Sequence, residues 1–385
     1  MSHHPRKIRV ALTGGGTAGH IYPLAAVGRA LAENLTKHGL APDIRFFGDP
    51  GPYAEEFATA GIRVSYIPAS KWRRYFDIDN FFDIFNFIRG VIGSFWKLFF
   101  FMPHVCFSKG GPGALAVLSA TRFYNIPIVL HESDAVPGLT NRITAKSARL
   151  IELAFPSAAG DLKVKTPMHV VGNPVRPEIL GGTDPRAAKI EFGFDPEQPV
   201  VLVIGGSQGA ERINAFILEH LTPLTEKFQI LHQTGTKNFE THHNQFIFLT
   251  QGKDGPWKNR YRYVPYFKGN LKNAYEAADI VISRAGAGSL FELAALGKPA
   301  ILVPLPESAN NHQVQNAYQY EKAGAGIVLE EENFLPSLVL STIEKILNNP
   351  EKRAAMAEAA QKFATPNSAE IIAEDILRNV LHINL

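Results

Sequence analysis

The stretch Ile8-Arg9-Val10-Ala11-Leu12-Thr13-Gly14-Gly15-Gly16-Thr17-Ala18-Gly19-His20 decides the fold, because its plan occurs twice. Val200-Val201-Leu202-Val203-Ile204-Gly205-Gly206-Ser207-Gln208-Gly209-Ala210 repeats it past the middle of the chain. Each begins as a short apolar run, the mark of a parallel strand buried on both faces. Each continues into a glycine turn that opens a helix, where backbone N–H groups approach a phosphate. Two such units predict an α/β protein with two nucleotide-type domains facing each other and substrates in the cleft between them.

Working outward, apolar runs and helical periodicities alternate along both halves, the pattern of a mostly parallel sheet in each. Strands are expected at 8–13, 43–47, 64–67, 105–108, 128–131 and 150–154, with a short one from His169. A second set is expected at 200–204, 229–234, 262–264, 279–283, 300–303 and 326–329. Helices fit at 23–38, 54–60, 113–124, 138–146, 209–220, 271–278, 289–296, 311–323 and 335–348, and the tail from Pro350 is helical in pattern. The turn Gly172-Asn173-Pro174 marks the boundary, so the domains are read as 1–172 and 173–350, with 351–385 as a helical tail.

With 385 residues the chain is long enough for two such cores. Its formal charge of +3 makes no argument for nucleic acid, and none is expected as a partner. A single cysteine, Cys106, excludes an internal disulfide framework and fits a reducing compartment; it reads as a core residue. The N-terminal residues before Ile8 lack the apolar core of a signal peptide, which predicts a cytoplasmic protein.

One segment departs from the average. Between Trp72 and Met102 the chain is crowded with aromatics, and Phe81, Phe85, Ile88, Ile92, Phe95 and Phe99 fall at helical spacing on one face. Arg89 and Lys97 interrupt the run well short of the roughly 20 apolar residues that cross a bilayer. One face of this helix packs on a sheet. The aromatics exceed one face and basic residues flank them, which adds a patch resting on anionic lipid.

Several motifs carry chemistry. Gly14, Gly16 and Gly19 satisfy G-x-G-x-x-G, a weak signal alone. His20 follows at the helix start, as a general base near a bound group or as a plain capping histidine. Phe107-Ser108-Lys109-Gly110-Gly111-Pro112-Gly113 is a second strand-to-helix turn, either a wall for a diphosphate or a simple tight turn. His131, Glu132 and Asp134 end the next strand, where open α/β sheets bind ligands. In the second half, Ser283-Arg284-Ala285-Gly286-Ala287-Gly288-Ser289 leads into a helix whose first N–H groups would face an anion, with Glu292 about one turn in. Glu292 is read either as an acceptor of two ribose hydroxyls or as a carboxylate favourable to the helix dipole. The amide-rich run Asn310-Asn311-His312-Gln313 suits a sugar or an ordinary helix cap.

Taken together and in order, these segments resemble the MurG family of bacterial glycosyltransferases. The carrying motifs are GGGTAGH at 14–20, FSKGGPG at 107–113, HESDAVPGLTN at 131–141, GNPVR at 172–176, GGSQGA at 205–210, SRAGAGSLFELAALGKP at 283–299 and NHQVQNA at 311–317. The resemblance implies a GT-B fold, two Rossmann-like doubly wound domains with an interdomain cleft, the C-terminal helical segment crossing back to the first domain. It implies inverting transfer of N-acetylglucosamine from UDP-N-acetylglucosamine to the C4 hydroxyl of undecaprenyl-diphospho-N-acetylmuramoyl pentapeptide. It implies a peripheral protein on the cytoplasmic face of the plasma membrane, working with other proteins of wall synthesis and division.

Residue by residue, the resemblance places the donor on Ser207, Phe267, Ala287, Gly288, Ser289, Glu292, His312 and Gln313, with Arg176 reaching its diphosphate and Asp134, Thr17, Ala18 and Gly19 joining from the first domain. The acceptor diphosphate falls to Gly14, Gly15, Gly16, Ser108, Gly110 and Gly111. Membrane contact falls to Trp72, Phe81, Phe85, Phe95, Trp96 and Phe99. His20 is taken as the base and Glu132 as its competitor; no metal and no cofactor are expected. Three residues depart from the family pattern. Ala18 stands where glycine is frequent, Asp134 where asparagine is frequent, and His312 where some members have glutamine. Four competing readings are another GT-B transferase acting on a lipid such as diacylglycerol, a UDP-sugar epimerase, a dinucleotide oxidoreductase and a non-catalytic scaffold. The second glycine set argues against the oxidoreductase, and the aromatic patch against the epimerase.

Overall fold

The computed structural model describes residues 6–68, 79–206 and 209–383, and from 79 to 86 the backbone alone. The chain divides into two compact units, Met1–Arg176 with Thr365–Leu385, and Pro177–Ala364. The divisions therefore fall at 176/177 and 364/365, where the sequence reading places them at 172/173 and 350/351. The last of these shifts has a simple cause. The helix Pro350–Phe363 packs its Met356 into the second unit's core, and only the following helix, Ser368–Asp375, belongs to the first.

Among the described residues the first unit holds β1 (Lys7–Thr13), β2 (Ala41–Gly48), β3 (Arg63–Tyr66), β4 (Val105–Ser108), β5 (Ile128–Glu132), β6 (Leu150–Leu153) and β7 (Met168–Val170). They form one parallel sheet in the order β3-β2-β1-β4-β5-β6-β7. The second unit holds β8 (Val200–Ile204), β9 (Gln229–Gln233), β10 (Tyr261–Val264), β11 (Ile280–Ser283), β12 (Ala300–Leu302) and β13 (Gly326–Val328). Its sheet, also parallel, runs β10-β9-β8-β11-β12-β13. Both are doubly wound sheets of the Rossmann type.

In each, the chain starts at a central strand, builds outward to one side, then crosses over that strand to build the other. The crossover leaves a crevice at the carboxyl ends of β1 and β4, and of β8 and β11, where such sheets take ligands. Register aligns those ends: Thr13 pairs with Ser108, and Ile204 with Ser283. The glycine turns that the sequence singled out leave the sheets side by side at these two crevices.

The buried central strands explain the apolar runs; all five residues of β8 are buried. On one face of the first sheet, Leu24, Val27 and Leu31 of the helix Ala18–Lys37 pack on Val10 and Leu12, and Ile372, Ile376 and Leu377 of the terminal segment join the same core. Full burial of these last three side chains contributes roughly 5–9 kcal/mol before chain entropy is counted. Cys106 is buried in the core on the other face, and burial pushes its thiol up to about 12, so it is inert.

All thirteen expected strands are present. The helices Ala158–Leu162, Pro185–Glu191, Leu221–Lys227, Phe239–Thr250 and Trp257–Arg260 are additions. Four of them are one or two turns long, too short for a 3.6-residue period to show. The fifth, Phe239–Thr250, buries only His242 and leaves Phe248 81% exposed, so it has no apolar stripe to read.

The aromatic segment forms the helix Asp79–Phe101. Its packed face is Gly90, Ser94, Leu98 and Phe101; a Cβ on Gly90 would lie 2.8 Å from the Pro68 carbonyl oxygen. Ile88, Ile92, Trp96, Phe99 and Phe100 are instead exposed, and Phe123 of the helix Ala114–Phe123 is exposed with them. No helix among the described residues is long and apolar enough to cross a membrane.

Candidate functional site

At the first crevice the two glycine turns touch. The Lys109 N–H donates to the Thr13 carbonyl at 3.0 Å, and a Cβ on Gly111 would lie 3.1 Å from the Gly15 nitrogen. Gly110 and Gly111 both have positive φ, 73° and 85°, which glycine alone adopts freely. Gly16 abuts the loop after β2, where a Cβ would meet the Asp49 carbonyl oxygen at 2.7 Å. Nothing lies within 4 Å of a Cβ built on Gly19. The helix Ala18–Lys37 begins at Thr17 with no side-chain cap and no acidic residue in its first turn. Its N-terminal N–H groups and dipole are thus available to an anion.

Thr17 does not cap the helix because its hydroxyl engages His20, Oγ1 to Nδ1 at 2.8 Å. The His20 ring is wedged between the turns, with Cβ positions on Gly15 and Gly111 only 3.1 and 3.3 Å from its nitrogens. Burial, then the Lys109 charge, pull its pKa down to about 4, against the opposing charge of Asp134.

Below the turns Lys109 is buried, and its ammonium donates to His131 Nδ1 and Asn173 Oδ1, each at 2.8 Å. His131 Nε2 lies 2.9 Å from the Gly172 carbonyl, which only accepts, so Nε2 carries the ring proton and Nδ1 receives the lysine. Burial lowers the Lys109 pKa to about 7, while Glu132 and Asp134 hold it up. A buried amine that changes charge near neutral pH thus underlies the crevice.

Glu132 is also buried, and its carboxylate accepts from the loop and helix that follow it. Oε1 accepts from the Asp134 N–H at 3.1 Å, and Oε2 from the Gly138 N–H at 2.9 Å and Asn141 Nδ2 at 2.8 Å. Its carboxylate folds the 132–138 loop. Ser108, read as a diphosphate contact, is buried too, and its hydroxyl accepts the Gly110 N–H at 3.0 Å; it shapes the turn. Arg176 stacks its guanidinium 4.7 Å from the Tyr22 ring centroid, on the helix that carries His20.

At the second crevice a cavity of about 720 Å³ is lined by Gly205, Gly206, Gly209, Ala210, Glu211, Arg212, Lys237, Asn238, Arg284, Gly286, Ser289, Leu305, Glu307 and Gln313. Gly209, at φ 83°, passes so close to the loop after β9 that a Cβ would sit 2.2 Å from the Thr234 carbonyl oxygen. The helix Ala287–Ala295 opens at Gly286 with no side-chain cap and no acid in its first turn, and a Cβ on Gly286 or Gly288 would meet nothing within 4 Å. Gln313 Oε1 accepts the Leu305 N–H at 3.1 Å. Gln233 bridges the crevice, its Nε2 donating to the Gly206 carbonyl at 3.2 Å and its Oε1 accepting from the Phe267 N–H at 3.2 Å.

The structure therefore brings Ser289 and Gln313 to one cavity with the glycine turn. Ala287 and Gly288 open the same helix. His312, the first residue of the helix His312–Lys322, donates from Nδ1 to the Ala309 carbonyl at 2.7 Å. The helix Ala287–Ala295 begins two residues earlier than expected, so Glu292 sits in its second turn; it is buried and accepts from the Tyr275 hydroxyl at 3.1 Å. The Phe267 ring is buried against Phe192, so it is the Phe267 backbone that the crevice holds in place. Ser207, Trp72 and the side chains of Phe81 and Phe85 lie outside the described residues.

Sequence reasoning assigned no role to Arg212, Lys237 or Arg284, which line this cavity. Arg284 directly follows β11 and was legible as part of its motif. Its guanidinium is held by the Val303 carbonyl at 3.0 Å and by Glu331 at 2.5 Å, and burial and Arg212 lower its pKa to about 10. Two arginines and the open N-terminus of the helix Ala287–Ala295 on one cavity suit a diphosphate.

Two family models match the chain: the glycosyltransferase family 28 N-terminal domain over residues 10–151, and the family 28 C-terminal domain over 200–372. The UDP-N-acetylglucosamine–N-acetylmuramyl-(pentapeptide) pyrophosphoryl-undecaprenol N-acetylglucosamine transferase of Clostridium tetani is 35% identical over 90% of this chain and 92% of its own. That of Moorella thermoacetica is 35% identical over 97% and 99%. Among solved structures, Acinetobacter baumannii MurG aligns with a TM-score of 0.69 at 22% identity, covering 96% of this chain and 99% of that one. A UDP-GlcNAc 2-epimerase from Neisseria meningitidis, bound to UDP-GlcNAc, aligns with a TM-score of 0.67 at 15% identity over 97% and 100%. Likeness at these identities carries the GT-B fold and no more.

Proposed function

Because this chain belongs to the family of UDP-N-acetylglucosamine–N-acetylmuramyl-(pentapeptide) pyrophosphoryl-undecaprenol N-acetylglucosamine transferases, we propose that it performs their reaction. N-acetylglucosamine passes from UDP-N-acetylglucosamine to the C4 hydroxyl of a polyprenyl-diphospho-N-acetylmuramoyl pentapeptide, with inversion. The observation that carries the reading is the doubling of the anion-binding crevice, one in each unit. The reaction has two diphosphate substrates, and the fold has two switch points with open helix N-termini.

In this reading the second unit takes the donor. Its diphosphate lies over Gly206, Gly209 and the Ala287–Ala295 helix start, near Arg212 and Arg284, with Glu292 on the ribose. As the sugar–phosphate bond breaks, negative charge grows on UDP, and those N–H groups and guanidiniums stabilise it. The acceptor diphosphate rests on the turns at 14–19 and 110–111, above Lys109, whose protonated form its negative charge favours. His20 Nε2 takes the C4 hydroxyl proton as the oxygen attacks the anomeric carbon. Thr17, accepting from Nδ1–H, keeps Nε2 as the basic nitrogen.

Transfer of labelled sugar from UDP-N-acetylglucosamine to a short-chain analogue of the lipid-linked muramoyl pentapeptide tests the proposal. Product that disappears in Glu292→Ala supports it. Tight donor binding with no transfer to this acceptor leaves a GT-B protein with another acceptor, and interconversion of the donor's C2 epimers replaces transferase with epimerase.

The acceptor is a lipid, so the enzyme must work at a membrane surface. We assign that contact to Ile92, Trp96, Phe99, Phe100 and Phe123, flanked by exposed Arg89, Lys97 and Arg122. Phe95 belongs to the layer beneath, its ring 5.0 Å from Phe123 and 5.8 Å from Tyr124. Burying a large aromatic contributes about 1.5–3 kcal/mol, or roughly tenfold or more in affinity. The triple variant Trp96→Ser, Phe99→Ser, Phe100→Ser is therefore expected to bind anionic vesicles at least about a hundredfold more weakly in a flotation assay. Turnover of the short-chain acceptor should persist. Unchanged vesicle binding would move the membrane face elsewhere.

A further inference from the structure

The geometry points to a divalent-cation site, of the kind that takes Zn²⁺, formed by Glu152, His169 and Asp375 where the last helix meets the edge of the first sheet. Glu152 lies in β6 and pairs in register with His169 of β7, so both project from the same face. Asp375 comes to them from the end of the helix Ser368–Asp375. Its Oδ2 is 2.7 Å from His169 Nδ1, and one ligand atom from each of the three residues lies within 4.8 Å of the others.

Glu152 supplies the second, independent observation. Its side chain is fully buried and faces this cluster; neither carboxylate oxygen accepts a hydrogen bond from a protein donor, and the group it meets is the Asp375 carboxylate. Among the described residues no lysine or arginine pairs with Glu152 or Asp375. The Asn379 amide that donates to Asp375 Oδ1 at 3.0 Å brings no charge. A buried carboxylate held against a second, partly exposed one, with only one imidazole beside them, needs added positive charge. A proton on Glu152 is one way to supply it: burial and the Asp375 charge push this carboxyl up to about 9. A divalent ion does so more completely, because it balances both carboxylates at once and gives the buried Glu152 a ligand bond.

The donor set selects the ion. One imidazole nitrogen and two carboxylates suit Zn²⁺ or Co²⁺; an all-oxygen shell would be needed for Mg²⁺ or Ca²⁺. Ligands of a tetrahedral zinc lie about 3.4 Å apart, so closing the triangle takes side-chain shifts of roughly 1 Å. A water completes the shell, and His169, 42% exposed at its side chain, leaves the ion a path from solvent. The ion would tie residues 152, 169 and 375 together and so pin the terminal helix to the unit on which it packs.

The test uses the full chain stripped of metal. Titration with Zn²⁺ is expected to show one bound ion and to raise Tm by about 5–10 °C at a hundredfold excess over the dissociation constant. Co²⁺ is expected to give the visible absorption of a four-coordinate site. Glu152→Gln, an uncharged isostere, and His169→Gln, at a half-exposed position, should both remain folded by circular dichroism and lose the Co²⁺ band and the Tm shift. Absence of stoichiometric Zn²⁺ binding overturns the proposal and leaves a proton shared between Glu152 and Asp375. Binding that survives in both variants also overturns it, by placing the ion elsewhere.

Discussion

Replacing His20 with alanine is expected to lower kcat for sugar transfer by about 10²–10⁴-fold, the usual contribution of a general base. Donor affinity, measured by UDP competition, should stay within a few-fold. The geometry sets up the contrast with Glu132. Both residues stand at the first crevice, and both were candidates on sequence grounds. Glu132 spends its oxygens on the Asp134 and Gly138 N–H groups and on Asn141, so its carboxylate is a fixture of the loop. His20 has Nδ1 on Thr17, which leaves Nε2 as the candidate base of the proposed reaction. Glu132→Gln should therefore cost mainly loop order, visible as faster proteolysis or lower Tm.

The pH profile separates these roles further. With its pKa drawn down to about 4, His20 is neutral at pH 7 and able to accept a proton. A base must be deprotonated to act, so activity is lost as pH falls through that value and is level above it until another group titrates. kcat/KM reports the free enzyme and should place this acid limb near 4; kcat reports the enzyme with substrates bound. A diphosphate beside the ring stabilises the imidazolium, so the limb in kcat should lie at higher pH than the limb in kcat/KM. A His20→Ala enzyme that keeps more than a tenth of wild-type kcat would remove His20 from the chemistry.

Much of the fold was legible because its signals are local. Buried parallel strands read as apolar runs, and each glycine turn marks the end of the strand that carries it. The strand order was not legible, since it arises from crossovers between segments far apart in sequence. That order puts the turn after β1 against the turn after β4. The division of labour within the site was hidden for a related reason. Ser108 and Glu132 carry chemistry-bearing groups at the right ends of the right strands, and only their partners show that folding already occupies them. Conversely Arg284 and Arg212 look like ordinary charges in sequence, and only the cavity they share with Gly206 and Gly286 gives them a purpose. The aromatic helix taught the same lesson about faces. Periodicity found the stripe of Ile88, Ile92 and Phe99 but not which way it points. The small residues Gly90 and Ser94 allow close packing on the opposite face, and that turns the stripe outward.

The second large effect is expected at Glu292. Glu292→Ala should raise KM for UDP-N-acetylglucosamine by about 10²-fold or more while leaving kcat at saturation within a few-fold. The carboxylate is buried, one of its oxygens is oriented by the Tyr275 hydroxyl, and it stands one turn inside a helix whose N-terminus is open to an anion. A hydrogen bond to a charged acceptor is worth about 1.5–3 kcal/mol, so two ribose hydroxyls on one carboxylate amount to roughly 10²–10⁴ in affinity. Those bonds are made equally in the ground and transition states, which is why the loss belongs in KM. A donor lacking the ribose 2′-hydroxyl isolates the contact. The wild-type enzyme should bind it about tenfold or more weakly than the normal donor, whereas Glu292→Ala should hardly distinguish the two. If instead the variant loses the same factor for both donors, Glu292 supports the helix without touching ribose, and the coupling energy of this cycle is zero.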